Sequence, residues 1–344
     1  MKYIKTEDAV GHVLCHDITQ IIPGEKKGPV FKKGHIVRAE DIPVLLSVGK
    51  EHLYVWEKRE GILHEDEAAV ILRDICMGKS PEMKAGEPSE GKIEITAAVD
   101  GLLKINSEKL RAVNSLGQMM IATVHGNTVV HKGDKLAGTR IIPLVIEEEK
   151  MKEAQKLCGN EPVLSILPFN KAKIALVVTG SEVSKGLIKD SFSPVLEKKL
   201  EEYPVSVIGK VYPGDDRKAI TDAVLDFAEN GADMVLCTGG MSVDPDDKTP
   251  GAIKDTGAEI VTYGAPVLPG AMFLLSYLKR GGKTVPVMGL PGCVMYAKRT
   301  IFDLVFPRVL AGEKLSASDF AEYGEGGLCL GCSPCHYPNC GFGK

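Results

Sequence analysis

The chain has 344 residues, 44% hydrophobic and 26% charged, which suits an ordinary globular protein of two or three domains. With 42 basic against 46 acidic side chains, a net charge of −4, one Trp and 6% aromatics, it lacks both the basic field and the stacking platforms of a nucleic-acid binder. No apolar run of signal-peptide length opens the sequence, and the uncharged stretch from Ile260 to Leu278 is interrupted by Gly264, Pro266, Pro269 and Gly270; a protein without a membrane span, located in the cytoplasm, is expected.

In chain order, VFKKGHIVRAEDIPVLLSVG reads as a strand, a glycine turn and a short helix beginning near Glu40 or Asp41, and LYVW at 53–56 as a strand. HEDEAAVILRDICMG (64–78) is a helix with an acidic first turn and Gly78 as its stop. A polar connector, Lys79–Gly91, leads into residues 92–146. These look all-β, with turns at Asp100-Gly101, Gly126-Asn127 and Lys132-Gly133-Asp134. Glu147 to Lys150 opens a helix that ends near Gly159.

From Lys171 the pattern changes to continuous apolar strands alternating with helices: KIALVV (173–178), VSVIGKV (205–211), MVLCT (234–238), a strand pair over 259–267 and 284–289, and a long final helix over 294–310. That alternation predicts the α/β class, a doubly wound, mostly parallel sheet. The expected organisation is a small mixed α/β domain (1–80), a β-rich barrel-like domain (91–150), the α/β domain (168–312) and a Cys-rich tail (313–344).

Ligands of such sheets bind beyond the carboxyl ends of the strands, and the loops there are unusual. They read Thr179-Gly180-Ser181-Glu182, Asp190-Ser191, Tyr212-Pro213-Gly214-Asp215-Asp216, Thr238-Gly239-Gly240-Met241-Ser242 running on to Asp247-Lys248-Thr249-Pro250, and Leu290-Pro291-Gly292. Glycines let backbone approach a ligand closely, and Thr249-Pro250 reads as an N-cap and first helical residue. Acidic side chains beside them suit a phosphate whose charge is bridged by Mg²⁺. GxxxxGK[ST] and a post-strand GxGxxG are both absent, which disfavours standard nucleotide readings.

The series VVTGSEV, DS, VYPGDD, CTGGMSVDPDDKTP and GLPG resembles the molybdopterin-binding domain shared by the enzymes that adenylylate molybdopterin and insert molybdate into it. The segment FKKGHIVRAEDIPVLLSVGKEHLYVWE also resembles the stretch that precedes this domain in the molybdate-inserting members, here displaced to the N-terminus by the β-rich middle. The resemblance implies a molybdopterin-type ligand, Mg²⁺, and Asp190, Asp216 and Asp247 as the catalytic carboxylates. The substrate-binding residues it implies are Thr179, Gly180, Glu182, Ser191, Asp215, Thr238, Gly239, Gly240, Ser242, Pro291 and Gly292. Several positions depart from the family pattern: Phe192 and Cys293 stand where Asn is usual, Asp244 replaces a Gly, and Pro269-Gly270-Ala271-Met272 lacks the Lys of its Pro-Gly-Lys-Pro counterpart. The implied function is therefore either Mg²⁺-dependent adenylyl or molybdenum transfer, or a carrier or sensor that holds the cofactor for a molybdoenzyme partner. A homo-oligomer is expected.

Of nine cysteines, the last four, Cys329, Cys332, Cys335 and Cys340, crowd the C-terminus. Their spacing suits a metal, either an iron–sulfur cluster or Zn²⁺. The tail is expected to carry too little apolar surface to order itself without thiolate ligation. Cys237, at a strand end, is expected to be a buried small residue.

Overall fold

A computed structural model describes residues 2–22, 26–55 and 60–344. It divides into two compact units, Met1–Ala98 with Ile105–Val124 and Gly133–Ser165, and Val99–Lys104 with His125–Lys132 and Ile166–Lys344.

In the first unit, Lys2–Lys5 pairs antiparallel with His52–Val55, and Ile18–Ile22 with Lys26–Phe31. Ala9, Leu14, Ile18, Val37, Leu45 and Leu53 close a small core beneath them. The helix expected near Glu40 runs over Ile42–Ser47 after a 3₁₀ turn at Ala39–Asp41. The predicted 53–56 strand ends at Val55, and Trp56 lies outside the described residues. Helix Glu65–Met77 starts at His64, whose ring accepts the Asp66 N–H while Glu67 accepts the His64 N–H, and it stops at Gly78 with φ 60°.

The all-β expectation for 92–146 fails at one place: Ser107–Ser115 is a helix, capped by the Asn106 side chain accepting from Lys109 N–H at 3.0 Å. Around it, Met83–Ala85, Lys92–Ala97, Lys135–Ile141 and Met119–Thr123 form one antiparallel sheet in that order. Helix Glu148–Cys158 follows, with Gly159 as its C-cap.

The second unit carries the α/β fold. Its strands are β1 (Ala172–Val178), β2 (Val205–Val211), β3 (Met234–Thr238), β4 (Glu259–Tyr263), β5 (Leu274–Arg280) and β6 (Lys283–Leu290). Its helices are α1 (Ser181–Ser184), α2 (Phe192–Leu200), α3 (Arg217–Glu229), α4 (Thr249–Asp255), α5 (Ile301–Leu310) and α6 (Ala317–Glu322). The six strands lie in the order β2-β1-β3-β6-β5-β4, with β2, β1, β3 and β6 parallel and β5 antiparallel to both its neighbours.

The central strands are apolar from Ile174 to Val178 and from Met234 to Cys237 because both faces are covered there. Ile174, Leu176, Met234 and Leu236 pack against Phe192, Leu196, Phe302 and Phe306 on one face. Ala175, Val177, Val235 and Cys237 meet Ile220, Val224 and Ile253 on the other. Each fully buried Leu, Ile or Phe contributes roughly 1.5–3 kcal/mol. The uncharged stretch of the sequence is β4 and β5, and among the described residues no helix is long and apolar enough to cross a membrane.

Two further expectations are corrected. The helix predicted over 294–310 is broken into a 3₁₀ turn, Gly292–Met295, and α5, because Thr300 and Asp303 form a capping box that starts a new helix at Ile301. The tail does find apolar burial: Leu315, Phe320, Tyr323 and Phe342 enter the same core as Phe302 and Phe306. Buried Arg308 ties it further, donating to Glu313 at 2.8 Å and to Asp319 at 2.7 Å.

Candidate functional site at the carboxyl edge of the parallel sheet

β1 and β3 run side by side, Val178 opposite Thr238, so their ends open into adjacent loops. Thr179 donates both its N–H (2.8 Å) and its hydroxyl (3.0 Å) to the Thr238 carbonyl. The Thr249 hydroxyl donates to the Gly239 carbonyl at 2.8 Å and lies 3.2 Å from the Thr179 hydroxyl. Three segments distant in sequence are thus locked around the Gly-Gly turn. Gly239 (φ 84°) and Gly240 (φ 55°) adopt a left-handed backbone that side chains disfavour. A Cβ on Gly240 would lie 3.0 Å from the Thr249 hydroxyl.

The neighbouring loops join this edge through carboxylates. Asp215 accepts the Ser181 N–H at 2.7 Å and so holds the first loop to the second. Asp190 accepts from Phe192 and Ser193 N–H at 2.9 and 3.0 Å, at the start of α2, and from the Tyr212 hydroxyl at 3.0 Å. Partial burial opposes its charge, but these hydrogen bonds outweigh that and hold its carboxyl below the usual range. Asp216 caps α3, accepting the Ala219 N–H at 2.8 Å. Ser191 reaches Met295 Sδ at 3.2 Å, linking the second loop to the turn that follows Pro291 and Gly292.

Thr179, Gly180, Thr238, Gly239, Gly240 and Asp215 therefore meet in one bonded edge, while Glu182, Ser242 and Gly292 stand exposed around it. Of the three carboxylates expected to be catalytic, Asp190 and Asp216 are engaged at helix starts. Half-buried Asp247 accepts no hydrogen bond through its side chain among the described residues, while its N–H donates to Asp244 O at 2.9 Å. The Thr238 hydroxyl is buried with no partner among the described residues. Cys237 beside it is fully buried, which pushes its thiol up to about 12.

Thr249 is the residue sequence reasoning placed differently. It is not the N-cap of α4 but its first residue, Lys248 being the cap, and its hydroxyl serves the Gly239 carbonyl instead. Tyr212 likewise gains its role only through the fold. Tyr263 is a further support, its hydroxyl donating to the carbonyls of Met241 (2.9 Å) and Ser242 (3.3 Å) in the third loop.

For metals, no group of three or more His, Cys, Asp or Glu side chains is gathered among the described residues. This applies to Cys329, Cys332, Cys335 and Cys340: Cys329 and Cys340 pack against the apolar core, whereas Cys332 faces outward. The tail backbone is held otherwise, Cys329 N–H donating to Leu268 O and Leu268 N–H to Gly327 O, each at 2.8 Å.

Residues 175–311 match the family described as a probable molybdopterin binding domain, and residues 3–57 a domain of unknown function. A competence-damage inducible protein of Bacillus thuringiensis (strain Al Hakam) is 30% identical over 108 residues, 31% of this chain and 25% of the relative. Its counterpart in Bacillus mycoides (strain KBAB4) matches to the same extent, so the chain spans about a quarter of the length of the curated relatives it matches. Among solved structures, a tungsten cofactor synthesizing protein, MoaB, from Pyrococcus furiosus is 19% identical with a TM-score of 0.32, covering 36% of this chain and 84% of its own. CinA from Thermoplasma acidophilum is 16% identical with a TM-score of 0.28, covering 35% and 89%.

Proposed function

Residues 175–311 being a domain of the molybdopterin-binding family, we propose that this chain binds a molybdopterin-type small molecule at the carboxyl edge of its parallel sheet and serves the biosynthesis or handling of the molybdenum cofactor. The observation that carries the reading is the Gly239-Gly240 turn, locked by Thr179 and Thr249, with exposed Gly292 on the turn after β6, whose Leu290 pairs with Thr238. Together they offer a ligand bare backbone on a rigid frame. The orphaned Thr238 hydroxyl at the same strand end supports a polar occupant, a ligand atom or a bound water.

Holding the ligand is the function this edge supports best. Asp190 and Asp216 are committed to helix starts, and the lysine of the Pro-Gly-Lys-Pro element is absent, with Ala271 in its place. Asp247 is the carboxylate left to share a divalent cation with a phosphate oxygen, the way Mg²⁺ is commonly held, by one or two carboxylates plus substrate phosphates. Among the described residues no three His, Cys, Asp or Glu side chains gather into a ready-made metal site, so a Mg²⁺ here would depend on the ligand's phosphate, and the tail thiols as placed do not fit a cluster or Zn²⁺. In this reading a cytoplasmic homo-oligomer carries or senses the cofactor for a molybdoenzyme partner.

Mass spectrometry of the ligand released from anaerobically purified protein tests the proposal. A pterin dithiolene mass, present in wild type and reduced in Gly292→Val, is the expected result. A protein that retains no pterin after expression in a cofactor-producing host would overturn it.

A further inference from the structure

The open face of the four-stranded sheet in the first unit carries a groove that the fold itself does not require. Strand pairing sets its rows: Arg140 lies between Lys92 and Met120, and two residues earlier Gly138 lies between Glu94 and Ala122. The second row is low because its middle residue has no side chain. A cavity of about 570 Å³ opens above it, within the size range of sites for small organic ligands.

Gly138 has no structural reason to be glycine. Its φ is not in the left-handed region, and a Cβ built on it meets nothing within 4 Å. Gly101 is the contrasting case, since its Cβ would lie 2.5 Å from the Leu167 carbonyl oxygen. Glycine inside a strand is destabilising relative to Ala. At position 138 that cost gains the fold nothing; what it leaves is an open floor.

The charges around the floor are unevenly matched. Lys135 pairs with Glu94 at 2.7 Å and Lys92 with Glu90 at 3.2 Å. Arg140, half-buried at the end of the groove, makes no hydrogen bond or ion pair among the described residues; its field reaches the buried Glu65 without a bond to it. A planar guanidinium with free donors is suited to a carboxylate or phosphate. Met120 beside it and Val124 at the opposite end of the groove, next to Leu136, stand 36% and 41% exposed and supply apolar wall.

We propose that this groove is a second binding site, independent of the molybdopterin reading, for a small amphipathic anion: its carboxylate or phosphate pairs with Arg140 and its apolar body lies over Gly138 between Met120 and Val124. Binding would involve no covalent step.

The test titrates the full-length protein with an anionic apolar dye, 1-anilinonaphthalene-8-sulfonate, and with its uncharged relative N-phenyl-1-naphthylamine. Saturable binding of one dye per chain is expected, lost in Gly138→Val, which fills the floor with a good strand former and leaves the melting temperature unchanged or higher. Arg140→Gln should weaken the anionic dye roughly tenfold, as loss of a charge-assisted contact does, and leave the neutral dye unaffected. Octanoate or octyl phosphate should displace the anionic dye, and the stronger of the two identifies the preferred headgroup. The proposal is overturned by equal dye binding in wild type and folded Gly138→Val, by an equal effect of Arg140→Gln on both dyes, or by displacement with neither anion.

Discussion

The Cβ position of Gly239 lies 2.7 Å from both the carbonyl oxygen and the hydroxyl oxygen of Thr179. No side chain can stand there while Thr179 keeps its two bonds to Thr238, so the turn after β3 and the loop after β1 are one construction. Gly292 is its opposite. It is exposed, its φ is unremarkable, and a Cβ on it meets nothing.

The two glycines should therefore respond differently to the same substitution. Gly239→Ala combines a left-handed backbone with a clash and should cost about 2–4 kcal/mol in urea unfolding. Gly292→Ala should change stability by less than about 0.5 kcal/mol. Equal stability of the two variants would mean that Thr179 and Gly239 are not locked as described.

The carboxylates of the site divide in the same way between structure and ligand. Asp216→Ala removes the cap of α3 and should lower stability by about 1 kcal/mol. Asp247→Asn removes a charge whose carboxylate makes no bond among the described residues, so its melting temperature should match wild type while any Mg²⁺-dependent gain in pterin affinity disappears. Unfolding of Asp247→Asn would instead make that residue a structural partner.

How much of this edge is legible in the sequence varies residue by residue. β3 is predicted to its last residue because a continuous apolar run meets Gly-Gly. Helix Ser107–Ser115 is short and mostly polar, with Val113 its one buried residue, so between apolar strands it reads as a connector. The start of α5 is written as Thr300-x-x-Asp303, yet the mostly apolar stretches 294–297 before it and Ile301–Leu310 after it read as one continuous helix and conceal it. Thr249 looks like a cap by local spacing and turns to Gly239 only because the fold brings α4 against β3. In the tail, crowded cysteines draw attention from Leu315, Phe320, Tyr323 and Phe342, whose irregular spacing gives no pattern although all four are buried.

That burial makes the tail's stability apolar in origin. Phe320, 2% exposed, should cost about 3–5 kcal/mol when changed to Ala. Cys332→Ser and Cys335→Ser should melt within a degree or two of wild type, and a chelator should leave the melting temperature unchanged. A large fall on chelation would show that thiolate ligation, not Phe320 and its neighbours, orders the tail.

Glu65 makes the first unit's stability depend on pH. Burial first, and then the charge of Asp66 beside it, raise its carboxyl from 4.5 to about 7. A folded-state value above the unfolded one means its stabilising contribution is full below about pH 4.5 and is lost as pH rises through 7. Glu65→Gln should therefore be more stable than wild type at pH 8, by an amount on the order of 2–3 kcal/mol in urea unfolding, with the gap closing towards pH 4.5. Identical gaps at both pH values would contradict this ionisation.

Direct titration of molybdopterin by its own fluorescence, under anaerobic conditions, tests the central claim. Wild type should show saturable binding at one equivalent per chain, and Gly292→Val should lose at least tenfold in affinity with its melting temperature unchanged. If wild type shows no saturation, or if folded Gly292→Val binds as wild type does, the carboxyl edge of this sheet is not a molybdopterin site.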